Sequence, residues 1–259
     1  MLVDIHAHLD HMQFRNDIDK VISDAKKDGV KAIITSGINP ETNRIALGLA
    51  VKYDTVKCSL GIYPPDALQA EIETGSYPMK ENRFDIDAEI KFLRENKKSF
   101  VAVGEVGLDY ANCKDKEMQI SVFRKMIKLA KELDKPVIIH SRKAEEDCIN
   151  ILEESKIKKV VLHCFCGNKK LVERAIKLGY YFSIPCNIVR AYNFQEIVKK
   201  TDINHILTET DAPYLSPFKG VRNEPRFVIE TVKKIAELKG MDVEEVKKNI
   251  FMNYKSVFE

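Results

Sequence analysis

No run of apolar residues in this chain approaches the roughly 20 needed to cross a bilayer as a helix, which argues against a membrane span. The N-terminus lacks a basic region followed by a signal core. It opens instead on an apolar stretch with Asp4 inside it, so a cytoplasmic protein with no membrane partner is the expectation. The six cysteines, Cys58, Cys113, Cys148, Cys164, Cys166 and Cys186, include no C-x-x-C pair, which removes the usual zinc-finger and thioredoxin-type arrangements. A chain of 259 residues folds without disulfide staples. Reduced, mostly buried thiols are expected, with Cys164 and Cys166 near any site built around His163. Net charge is small, +3, which excludes a protein that coats nucleic acid by bulk charge and confines such contacts to a local patch. The chain shows no low-complexity tract, interdomain linker or fixed-period repeat. It also has no G-x-G-x-x-G turn after its first strand, so a dinucleotide-binding fold lacks its main support.

What is present is an alternation of short apolar strands and longer amphipathic helices. Strands are predicted at Leu2–His6, Lys31–Ser36, Val56–Gly61, Phe100–Glu105, Pro136–His140, Val160–His163, Tyr180–Ile184 and His205–Glu209. Between them, Asn39-Pro40-Glu41 reads as a cap, a first-turn proline and an acidic first turn. Val122, Phe123, Met126, Ile127 and Ala130 recur at spacings of three and four and mark the clearest helix, Asp115–Leu133. Asp242 opens the last helix. Residues 66–84 break the pattern and read as a long loop near the mouth, with one short helix over Asp66–Ile72 as an option. Eight βα units in a chain of this length point to an α/β fold, a single-domain (β/α)8 TIM barrel over residues 1–259.

In such a barrel the chemistry sits at the C-terminal ends of the strands. This chain places His6 and His8 after strand one, Glu105 on strand four, His140 on strand five and His163 on strand six, with Glu209 and Asp211 after strand eight. His6 and His8, two apart, project to one side of a strand. In each case the parity that carries apolar residues inward also carries the polar residue to the mouth. Taken singly, each has an ordinary structural reading as a hydrogen-bonded histidine or a turn carboxylate. Their convergence on one rim changes that, because so many imidazoles and carboxylates are costly to bury without a partner, and Zn, Mn or Mg ions accept such donors.

The segments HAHLD, GEVGLDY, IIHSR, HCFCG, TETDAPYLSP and RNEP, in this order and over nearly the whole chain, resemble the TatD family of metal-dependent deoxyribonucleases of the amidohydrolase superfamily. The resemblance implies a TIM barrel with one or two divalent metal ions and hydrolysis of DNA phosphodiester bonds, often as a 3′-to-5′ exonuclease. By position it implies that His6 and His8 hold one metal with Asp211 adjacent, that Glu105 bridges two metals, and that His140 and His163 hold the second. Two cations about 3.5–4 Å apart lower the pKa of a water and neutralise charge growing on a phosphate. In that scheme Asp211 serves as general base. Glu209 is a candidate for orienting a ligand from behind, for holding the second metal, or for touching substrate, and Arg142 and Arg222 are candidate phosphate contacts with exposed salt bridges as their ordinary alternative. Asp4, on the face of His6 and His8, either orients the ligands or is satisfied in the barrel floor.

One position departs from the family pattern. The G-x-H-P histidine after strand three is replaced in Gly61-Ile62-Tyr63-Pro64, and Tyr63 can hydrogen-bond a phosphate but cannot serve as an imidazole ligand. Two other readings stand beside a DNA hydrolase. One is an ester or amide hydrolase of the same superfamily, such as an aminoacyl-tRNA deacylase. The other is a non-catalytic barrel that binds a partner, which an intact ligand set disfavours. Nothing in the sequence sets an oligomeric state, and a monomer is compatible with it.

Overall fold

The computed structural model describes residues 1–75, 84–111 and 113–259. Its strands are β1 (Leu2–Ala7), β2 (Val30–Ser36), β3 (Val56–Leu60), β4 (Ala102–Asp109), β5 (Val137–Arg142), β6 (Val160–His163), β7 (Tyr181–Ile184) and β8 (Ile206–Thr208). They lie side by side in sequence order and pair in parallel throughout. The helices are α1 (Ile18–Lys27), α2 (Pro40–Lys52), α3 (Pro65–Glu73), α4 (Ile86–Glu95), α5 (Lys116–Leu133), α6 (Glu145–Ser155), α7 (Lys169–Lys177), α8 (Tyr192–Lys200), α9 (Val228–Lys239) and α10 (Val243–Phe258). This is the (β/α)8 barrel that the alternation predicted. None of the described helices is long and apolar enough to cross a membrane.

Local chemistry explains the elements. Asn39 accepts the Thr42 N–H at 3.0 Å while the Thr42 hydroxyl accepts the Asn39 N–H at 3.1 Å, a reciprocal cap that starts α2 with Pro40 in its first turn. Asp115 caps α5 by accepting the Met118 N–H at 2.9 Å. The face of Val122, Phe123, Met126, Ile127 and Ala130 is buried, as its spacing predicted.

β1 and β8 close the barrel without a regular ladder. The Thr208 hydroxyl donates to the Val3 carbonyl at 2.7 Å. Asp4 accepts the Thr210 N–H at 2.9 Å and its hydroxyl at 2.5 Å, and accepts the His6 N–H at 3.3 Å. Above them, Asp211 N–H donates to His6 O (2.9 Å) and His8 N–H to Ala212 O (2.8 Å). Asp4 is therefore the satisfied floor group, and it acts as a seam between the ends of the chain's first and last strands. Burial pushes its carboxyl up to about 8. Asp4→Ala strands the Thr210 donors in the interior and is expected to destabilise the fold by about 2–4 kcal/mol. The denaturant midpoint measures this, and an unchanged midpoint would show that backbone bonds alone hold the seam.

Three predicted boundaries move. β4 does not stop at Glu105 but runs on to Asp109, because its pairing with β5 resumes after a register shift between Val103 and Val106. β8 ends at Thr208, so Glu209 and Asp211 lie beyond it rather than on a strand face. The expected 66–84 loop opens with a full helix, α3, and its residues 76–83 lie outside the described residues. Ala67 and Leu68 of α3 pack on Ile38 and Tyr63, with Ile72 beside them, in a small cluster apart from the main core.

Candidate metal centre

The six ligand candidates named from sequence meet at the C-terminal mouth of the barrel. His6, at the end of β1, is fully buried. Its Nδ1 lies 3.0 Å from the Ser36 hydroxyl, which lies 2.9 Å from that of Ser59, so β2 and β3 fix the ring and aim Nε2 inward. That Nε2 is 3.3 Å from His8 Nε2, 3.4 Å from Glu105 Oε2 and 3.6 Å from Asp211 Oδ1. His8 Nε2 is 3.6 Å from Glu105 Oε2 and 3.5 Å from Asp211 Oδ1. A tetrahedron of nitrogen and oxygen donors at about 2.0–2.1 Å from a central ion has edges of about 3.3–3.4 Å. His6, His8 and Glu105 are thus spaced as donors around one divalent cation, with an Asp211 oxygen 3.5 to 3.6 Å from both imidazoles.

Glu105 faces a second group with its other oxygen. Oε1 is 2.9 Å from His140 Nδ1 and 3.9 Å from His163 Nε2. One carboxylate thus presents an oxygen to each of two imidazole pairs, the arrangement a bridging ligand needs. Each ring of the second pair is held from behind, as metal-binding histidines are. His140 Nε2 lies 3.0 Å from Asp109 Oδ2 and 3.1 Å from the Tyr63 hydroxyl, which donates to Asp109 Oδ2 at 3.0 Å. Gln119 of α5 clamps Asp109 by accepting its N–H at 2.9 Å and donating to its carbonyl at 2.8 Å. His163 Nδ1 lies 2.9 Å from Glu209 Oε2, which also accepts from the Ser183 hydroxyl, while Cys164 N–H donates to Glu209 Oε1 at 3.1 Å.

The electrostatics fit a cation. Burial opposes charge on these groups, but their mutual attraction outweighs it. Glu105 is held well below the usual carboxylate range by His6 and His140, and Asp211 is lowered by His8 and His163. Despite burial, His8 is pushed up to about 9 by Asp211 and Glu105, His140 to about 9 by Asp109 and Glu105, and His163 to about 10 by Glu209. Burial and the charge of His163 lower His6. Ionised carboxylates that raise the neighbouring imidazoles form a site where a divalent ion can replace protons.

Above these residues is a cavity of about 600 Å³. Tyr63 and Arg142 line it, as do Glu71, Lys143 and Tyr214. The Arg142 guanidinium stands at the rim, more than half exposed, 3.7 Å from Glu71 and 3.9 Å from Asp109. Cys164 and Cys166 also line the cavity, and neither is disulfide-bonded. Two sequence candidates for substrate contact fall elsewhere. Glu209 is fully buried behind His163 with both oxygens occupied, so it positions a histidine and does not face a substrate. Arg222 forks onto Asp17 (3.0 and 2.7 Å), bonds Glu224 at 3.0 Å and stacks 4.6 Å over Phe14. Its guanidinium clasps the loop after β1. Its neighbour Asn223 fixes the loop after β8 through the carbonyls of Thr210 and Tyr214, both at 2.7 Å.

Sequence reasoning missed Asp109, Ser36 and Ser59. A signal existed for Asp109, four residues past Glu105 within GEVGLDY, but it required β4 to continue. Tyr63, the departure from the family pattern, is here a partner of His140 and Asp109.

A family model described as TatD related DNase matches residues 3–259. The chain is 37% identical to an "Uncharacterized metal-dependent hydrolase YabD" of Bacillus subtilis, covering 100% of this chain and 99% of the relative. It is 33% identical to a "3'-5' ssDNA/RNA exonuclease TatD" of Erwinia tasmaniensis, covering 99% of each. The crystal structure of YJJV, a TatD homolog from Escherichia coli, superposes with a TM-score of 0.85 at 27% identity over 99% of this chain and 97% of that one.

Proposed function

The chain belongs to the TatD related DNase family, and from that membership we propose that it is a metal-dependent hydrolase that cleaves DNA phosphodiester bonds from the 3′ end. The observation that carries this reading is Glu105, whose two oxygens face two separate groups of nitrogen and oxygen donors. The Erwinia relative's name, a 3'-5' ssDNA/RNA exonuclease, supports a single strand and the direction of attack.

In this reading His6, His8, Asp211 and Glu105 hold one ion, and Glu105, His140 and His163 hold a second. The bound ions lower the pKa of a water and offset charge growing on the phosphate. Every other part of the work falls to the chain. Asp211, kept ionised beside His8, takes the proton of the attacking water. Ser36, Asp109 and Glu209 lock the rings of His6, His140 and His163 so that the donors do not reorganise during turnover. Arg142 and Lys143, on the cavity wall, receive the non-bridging phosphate oxygens. A donor set with four imidazoles suits Zn better than Mg or Mn, which prefer oxygen donors.

The test is metal analysis of the purified protein coupled to a panel of single-stranded and duplex DNA, RNA, aminoacyl-tRNA and simple esters. Co-purifying divalent metal, cleavage of DNA, arrest by EDTA and recovery on metal addition are expected. Cleavage that persists in chelator, or turnover of esters without turnover of DNA, overturns the proposal.

A further inference from the structure

On the reading of the site as a nuclease that works from a 3′ end, we infer that Glu71 recognises the free 3′-hydroxyl of the terminal nucleotide and rejects a strand that carries phosphate there. Glu71 belongs to neither donor group. It projects from α3 onto the cavity wall, and its side chain is only 22% exposed. Its partners are distant: the Tyr63 hydroxyl at 3.4 Å and Arg142 Nη1 at 3.7 Å. A carboxylate has about four acceptor directions, so Glu71 keeps accepting capacity toward the cavity.

A carboxylate at this place is unfavourable to any ligand that is charged along its whole length. Like charges brought together in a partly desolvated site repel, whereas a neutral hydroxyl donates to a carboxylate favourably. A polyanion is admitted past Glu71 only where it presents a hydroxyl, and a DNA strand does so only at its ends.

The position fits that role. α3 is docked beside the mouth by Ala67, Leu68 and Ile72 against Ile38 and Tyr63, which sets Glu71 on the cavity wall. In this inference the last nucleotide of a strand lies against that wall. The cavity, about 600 Å³, has the scale of a small-molecule site and suits one nucleotide rather than a duplex. The Tyr63 hydroxyl, 3.4 Å from Glu71 and 3.1 Å from His140 Nε2, sets Glu71 one hydroxyl and one imidazole away from Glu105. In this inference the terminal nucleotide reaches from Glu71 to the donor groups, with its 3′-oxygen at the first and its 5′-phosphorus at the second. Lys143, which also lines the cavity, supplies positive charge for that 5′-phosphate, and Glu71, with Arg142 3.7 Å away, supplies a carboxylate at the 3′-oxygen.

The experiment compares kcat/KM of the metal-loaded protein on two single-stranded oligodeoxynucleotides that differ only in a 3′-hydroxyl or a 3′-phosphate. The native protein is expected to prefer the hydroxyl end by about tenfold or more. Glu71→Gln, which keeps an acceptor but loses the charge, should slow the hydroxyl substrate a few-fold and speed the phosphate substrate. Glu71→Ala should lose rate on the hydroxyl substrate and abolish the preference. A native protein without preference, or variants that slow both substrates equally with the ratio unchanged, would overturn the inference and leave Glu71 a support for α3. Thermal melts of both variants separate that support from recognition. No cleavage of either oligonucleotide by the metal-loaded native protein overturns the nuclease reading itself, and this inference with it.

Discussion

Glu105→Gln is expected to leave the barrel folded and to lower DNA turnover by at least about 10³-fold, on the order of 4 kcal/mol of transition-state stabilisation. The side chain is buried, and its two oxygens face His6 and His8 on one side and His140 and His163 on the other. An amide of the same shape offers one oxygen, no charge, and an NH₂ group that points a donor where an acceptor is needed. In the proposed two-ion reading both ions would lose a ligand at once, so metal content should fall together with activity. Metal analysis and single-turnover assays on the same preparation measure the two quantities. A variant that retained near-native turnover would remove Glu105 from the bridging position. Retained turnover with one ion lost would show that a single ion suffices.

Gly107→Ala is expected to destabilise the protein by about 2–5 kcal/mol, combining backbone strain with overpacking. Gly107 has φ +151, a region closed to other L-residues, and an added Cβ would lie 1.9 Å from the His140 carbonyl oxygen. The clash is with backbone, so no rotamer change relieves it. Gly107 pairs with His140 in the β4–β5 ladder, and any relief must therefore move His140 away from Glu105 and Asp109. A large drop in the denaturant midpoint is expected, with loss of activity even at temperatures where the variant remains folded. A stable variant with native kinetics would show that this segment tolerates a repositioned His140. A methyl added at Gly61 would meet the Glu105 carbonyl oxygen at 2.4 Å. The close approach of neighbouring backbones on both sides of Glu105 thus fixes where its carboxylate can point.

The residues at issue show how far a linear reading reaches. Strand number, helix order and the rough location of His6, His8, His140 and His163 were legible because strand parity and helical spacing are local properties, visible within a few residues. The reading left alternatives open where the deciding neighbour is remote. Arg222 in RNEP reads as a phosphate contact or a salt bridge, and folding brings it to Asp17, about 200 positions away. Glu209 shares the parity of Leu207, yet β8 ends before it and it tucks under His163. Asp109 seemed to lie past a strand end until β5 extended the pairing. Asp4 had two possible roles, and only the meeting of β8 with β1 made it the seam.

By itself, then, the sequence determined that this is a barrel of eight βα units with imidazoles and carboxylates at its mouth, because apolar periodicity selects each element and the elements carry their end residues with them. The tertiary structure alone decided which oxygen of Glu105 faces which pair, which partner locks each imidazole, and that α3 sets Glu71 over the cavity. Those features depend on distances between elements far apart in the chain, and such distances exist only once the sheet has closed and the side chains have packed.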